Sequence, residues 1–132
     1  MNIELLKNHI LYIPEMDDEH ILHANLLLEL RKSIDNNTLS DEILLKVKLS
    51  ILLHFEREEA FMLSINFPFL KPHKKEHINF INRLNYILEM IKDLGYIDKI
   101  YYAEKLFNEL LEHVSKWDIK YSTYIDSFKL LK

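Results

Sequence analysis

The chain has 132 residues, 48% hydrophobic and 29% charged, with one Gly, three Pro and no Cys, a balance that fits a single globular domain able to bury a core. Its 17 Lys and Arg against 21 Asp and Glu give a net charge of −4, and the basic residues are scattered, which speaks against a nucleic-acid partner. The absence of Cys removes disulfides, thiolate metal sites and cysteine nucleophiles, and leaves nitrogen and oxygen to hold any metal.

No apolar run approaches the ~18 residues of a membrane span, and Met1 to Asn8 carries Glu4 without a hydrophobic stretch, so no membrane partner and a cytoplasmic location are expected. Residues 1–16 read as an N-terminal arm. With one Gly and abundant Leu, Ile, Lys and Glu, the rest favours helices joined by short loops. The first helix is expected from about Asp17, as N-cap, to about Asp35, burying Leu27, Leu30 and Ile34. The second follows Ser40, with Asp41 and Glu42 complementing its dipole, and runs through Ile51, Phe55 and Met62 to about Ser64. The third carries Pro72 in its first turn and ends at Leu94, with Gly95 as the expected left-handed C′ residue. The fourth is capped near Asp98 and runs through Leu106, Leu110, Val114 and Trp117 to near Ile125. Helices of ~20 residues with such short connections pack antiparallel, so residues 17–126 are expected to form an all-α, up-down-up-down four-helix bundle.

Residues four apart on a helix lie about 40° apart in azimuth and one turn apart in height, so both can face one metal. The chain has this spacing twice, at His54 and Glu58 and at His73 and His77. Either pair alone commonly sits on a solvated surface. The antiparallel topology, however, gathers His20, His54, Glu58, His73, His77, Tyr121 and Asp126 at one end of the bundle, where unpaired polar groups would be costly to bury. Four imidazoles and two carboxylates without sulfur suit two borderline-to-hard ions such as iron or manganese. The paired Glu-x-x-His motifs of ferritin-like sites are absent.

Four blocks occur in order: Ile13-Pro14-Glu15-Met16-Asp17-Asp18-Glu19-His20; His54-Phe55-x-x-Glu58-Glu59-x-x-Met62; Phe67-Pro68 followed by His73-x-x-Glu76-His77-x-x-Phe80; and Trp117 nine residues before Asp126. Together they resemble the hemerythrin family, most closely its bacterial single-domain members. The resemblance implies two iron ions, with His20 and His54 on one, His73 and His77 on the other, and Glu58, Asp126 and an oxo or hydroxo group as bridges. It also implies O2 or a related small ligand as partner, for carriage, storage or sensing. Phe55, Phe80, Trp117 and Ile119 are candidates for a water-excluding lining, although each also reads as ordinary core.

The family pattern Trp-x-x-x-His-x-x-x-x-Asp, anchored on Trp117, places Tyr121 where an imidazole is expected. Tyr121 then has three readings: a phenolate ligand, a protonated hydrogen-bond donor, or a bulky core residue beside an open or wet position. A phenolate would favour ferric iron and with it a diiron redox enzyme, peroxidase- or oxidase-like. His23 is expected to donate to a backbone carbonyl rather than to bind metal, and His9 to lie on the surface. His113, eight residues before Tyr121 and ~12 Å along a straight helix, is placed outside the ligand shell.

Overall fold

The computed structural model describes residues 11–130, so His9 and the Met1–Asn8 stretch lie outside the described residues. Its elements are α1 (Pro14–Asp35), α2 (Asp41–Ser64), α3 (Leu70–Met90) and a fourth rod, in which α4 (Tyr96–His113) continues through a π-helical turn (Val114–Asp118) into α5 (Ile119–Leu130). Each rod packs against its chain neighbours, and α1 closes the ring against α4, giving the four-helix bundle. None of these helices is long and apolar enough to cross a membrane.

The caps differ from expectation where a competing local bond exists. Pro14, with its φ already helical, takes the N1 position and starts α1 three residues early. Asp17 is then inside the helix, and its Oδ1 accepts from the Leu11 N–H at 2.8 Å. Ser40 caps α2 as expected, its hydroxyl accepting from the Ile43 N–H at 3.4 Å. After α3 the chain tightens into a 3-10 turn at Ile91–Asp93, and Gly95, at φ −72° and ψ 170°, is the extended N-cap of α4 rather than a left-handed C′ residue. The left-handed positions are Tyr12, Asn37 and Asn66; the two Asn terminate α1 and α2, a conformation their side chains tolerate.

Two apolar cores fill the bundle. The larger is built from residues such as Leu27, Leu30, Ile51, Phe55, Phe80, Leu84, Leu106 and Leu110. The smaller joins Leu11, Ile13, Met16, Met62, Phe67 and Tyr121. Along α1, α2 and the fourth rod the sequence passes from one core to the other through buried polar residues: His20 between Met16 and Ala24, His54 and Glu58 between Ile51 and Met62, and Asp118 between Val114 and Tyr121. A buried polar layer therefore separates the two cores.

Candidate metal centre

The layer contains His20, His54, Glu58, His73, His77, His113 and Asp118, none more than 2% exposed. Glu58 is its hub. Its Oε1 faces one side, 2.9 Å from His73 Nε2 and 2.8 Å from His77 Nε2, and its Oε2 faces the other, 3.1 Å from His54 Nε2. Asp118 repeats the division: Oδ1 is 3.0 Å from His113 Nε2 and 3.2 Å from His73 Nε2, while Oδ2 is 3.2 Å from His20 Nε2. The donor atoms thus form two groups, His73, His77 and His113 on one side and His20 and His54 on the other, each sharing Glu58 and Asp118, with the atoms of each group within 4.8 Å of one another.

His77 Nε2 is hydrogen-bonded to Glu58 Oε1, but the other short contacts lack hydrogen-bond geometry. The Nε2 atoms of His20, His54, His73 and His113 and both Asp118 oxygens are buried without an aligned partner. Buried polar atoms are rarely left so, and here lone pairs converge in a set of nitrogens and carboxylate oxygens. This is the donor chemistry of a divalent cation site. Two imidazoles are also oriented from behind. His54 Nδ1–H donates to Glu19 Oε1 at 3.1 Å and His77 Nδ1–H to Glu59 Oε2 at 2.7 Å, which leaves each Nε2 turned inward. Arg57 in turn donates to Glu19 Oε2 at 2.6 Å.

The electrostatics agree with a site that requires positive charge. Burial disfavours the imidazolium of His54, yet Glu58 and Glu19 outweigh it and hold the group up at about 9. Burial acts likewise on His113, and Asp118 and Glu58 raise it to about 10. Burial alone would raise Glu58 and Asp118, but the surrounding imidazoles hold both carboxyls below their usual range. The carboxylates remain charged and attract cations, which protons supply when metal does not.

Two expected positions move. His113, placed outside the ligand shell by straight-helix arithmetic, is inside the cluster, and Asp118 takes the place expected of Asp126, which is exposed and outside both groups. The reason is the π turn, in which the Ile119 N–H reaches the Val114 carbonyl five residues back. In an α-helix residues five apart diverge by about 140°, whereas an i→i+5 bond stacks them. The signal was present in the sequence, because the His-x-x-x-x-Asp half of the family pattern stands complete at His113 and Asp118. Anchoring on Trp117 shifted it by eight residues.

With His113 supplying the third imidazole, Tyr121 has a different task. Its hydroxyl donates to Glu58 Oε2 at 3.0 Å, the protonated-donor reading. Burial, then the charges of Asp118 and Glu58, push the phenol far above its usual range. Phe55 and Phe80 are buried beside the cluster, with Phe55 stacked on His77 at 3.8 Å between ring centres. Ile119 is 41% exposed and lines nothing buried. Trp117 is half-buried, its ring 5.8 Å from that of His73 and covered by Lys120. His23 is buried, and its Nε2 meets the Ser50 carbonyl at 3.2 Å, as expected.

Residues 11–125 match the family described as Hemerythrin HHE cation binding domain. The chain belongs to the hemerythrin family. Among curated proteins and solved structures none matches it. The hemerythrin match spans all four rods and includes every residue of the polar layer, and it ends one residue before Asp126. In this hemerythrin-family bundle the His, Glu and Asp set described above is a cluster capable of holding a cation.

Proposed function

We propose that the chain is a non-haem diiron protein that binds O2 or a related small ligand for carriage, storage or sensing. The observation that carries this reading is the divided pair of carboxylates: Glu58 and Asp118 each turn one oxygen to a three-imidazole side and the other to a two-imidazole side. Such an arrangement suits two cations bridged by both carboxylates. His73, His77 and His113 would hold one ion, and His20 and His54 the other. The second ion has one protein donor fewer, which leaves room for an exogenous ligand. Iron in these positions would supply the redox-active affinity for O2 that side chains lack.

The chain's own residues prepare that environment. Glu19 and Glu59 accept from Nδ1 of His54 and His77, so that each Nε2 faces the shared carboxylates. Tyr121 holds Glu58 Oε2 from the side of the smaller core. Phe55 and Phe80 exclude water on the side of the larger core. The redox-enzyme alternative calls for a phenolate at Tyr121, and the hydroxyl's donation to Glu58 favours the ligand-binding reading over it.

The test is metal analysis of protein produced with ample iron, followed by titration with O2, azide and nitric oxide under a visible spectrum. Two irons per chain, a ligand-dependent charge-transfer spectrum and a lower melting temperature after chelation are expected. One iron or none per chain would sink the diiron reading.

A further inference from the structure

The polar layer has an apolar core on either side of it along the bundle axis, so a cation must reach it sideways, between helices. Between α3 and the fourth rod lies a cleft of about 370 Å³ that leads inward to the ring of His113. Its walls carry Glu76 and Arg83 from α3 and Glu109, Glu112 and Lys116 from the fourth rod. Arg83 spans the gap, with Nη2 3.2 Å from Glu76 Oε1 and Nε 3.4 Å from Glu109 Oε2, and Lys116 Nζ donates to Glu112 Oε1 at 2.8 Å. Three carboxylates face two cationic side chains, an excess of negative charge. Arg83 is 43% exposed and Lys116 67%, so all three pairs are screened and open at little cost.

His113 is the second, independent observation. Its side chain is 1% exposed, and neither ring nitrogen has a hydrogen-bond partner. His54 and His77 are tied by Nδ1 to Glu19 and Glu59, but nothing holds His113 from behind. It also adjoins the π turn, where the backbone ladder is already irregular. An imidazole with no partner at Nδ1, and with Nε2 3.0 Å from Asp118 Oδ1, thus lies between a carboxylate-walled cleft and the shared carboxylates.

We propose that ferrous iron reaches the centre through this cleft, with Glu76, Glu109 and Glu112 drawing the cation in and His113 turning aside to admit it before closing as a ligand. The inference rests on the diiron reading. Oxygen donors at the mouth suit a hydrated ferrous ion, and a negatively lined cleft raises the local cation concentration.

The test is anaerobic stopped-flow uptake of Fe(II) by the metal-free full chain, compared with the double variant Glu109→Gln, Glu112→Gln. Asp41→Asn with Asp98→Asn removes the same charge elsewhere and serves as control. The cleft variant should load about tenfold more slowly, with a weaker dependence on ionic strength, yet finish at the same two irons and the same spectrum. The control should load at the unaltered rate. Equal rates for all three proteins, with two irons bound at the end, would overturn the route and leave the diiron reading intact. Equal slowing of both variants would reduce the effect to net charge and likewise overturn the route. Failure of the unaltered chain to take up two irons would overturn the diiron reading itself.

Discussion

α3 and the fourth rod face each other across the polar layer and deliver ligand candidates by different means. α3 presents His73 and His77 four residues apart on an unbroken helix. The fourth rod presents His113 and Asp118 five residues apart, and does so only because the helix widens into a π turn between them. An α-period suffices to find the first pair, while the second needs a backbone irregularity that local propensity does not announce. A regular helix thus fixes one side of the site, and a local irregularity brings one shared carboxylate and one imidazole into register with it.

The harshest way to break this contrast is deletion of Lys75, an exposed residue between His73 and His77 on α3, set against deletion of Ser115, an exposed residue within the π turn. On the unbroken α3 the deletion turns His77 and everything after it by about 100°. Without Ser115 the fourth rod returns to α geometry, with His113 and Asp118 four residues apart and still on one face. The Lys75 deletion should therefore lose metal, while the Ser115 deletion should retain two. Loss of metal from the Ser115 deletion, with circular dichroism still reporting a helical protein, would show that the π turn itself is required.

Next in size is Asp118→Ala against Asp126→Ala. Removing a carboxylate that faces both groups should cost more than the 10–100-fold in metal affinity typical of an outer orienting residue, whereas Asp126→Ala should leave affinity unchanged. Isothermal titration with a divalent metal separates the two, and the reverse order would restore Asp126 as the bridge.

The smallest effect is expected for Tyr121→Phe, which removes one hydrogen bond to Glu58 and retains the packing. A stability loss of about 1 kcal/mol is expected, with the metal count unchanged. The ferric spectrum of the unaltered protein should contain no tyrosinate band for the substitution to abolish. Disappearance of such a band would make Tyr121 a ligand and return weight to redox chemistry.

The four helices, their loops and most of the core were legible because apolar periodicity and the Pro, Ser and Asn punctuation act locally. His54 with Glu58 and His73 with His77 were legible for the same reason. Asp118 was hidden because a straight continuation of α4 points it away from His113, and Trp117 offered a misleading anchor. Ile119, a candidate for the lining, is instead 41% exposed. Gly95 departs from expectation because it follows a 3-10 turn and is itself the extended N-cap of α4, which leaves no need for a left-handed residue. Glu19 and Glu59 sat within recognised blocks, but their bonds to ring nitrogens depend on how α1 and α3 lie against α2, a tertiary fact.

The position of the polar layer between two apolar cores also has a bearing on time. Whatever the layer holds is released only as fast as a side chain or a helix moves out of the way, however strong or weak its bonds are at equilibrium. A chelator would then have to wait for the protein, and above a modest excess its concentration would drop out of the rate of stripping. The two cores that close the layer along the bundle axis in this sense set its residence time, and the ion's lifetime in the bundle becomes a property of the fold.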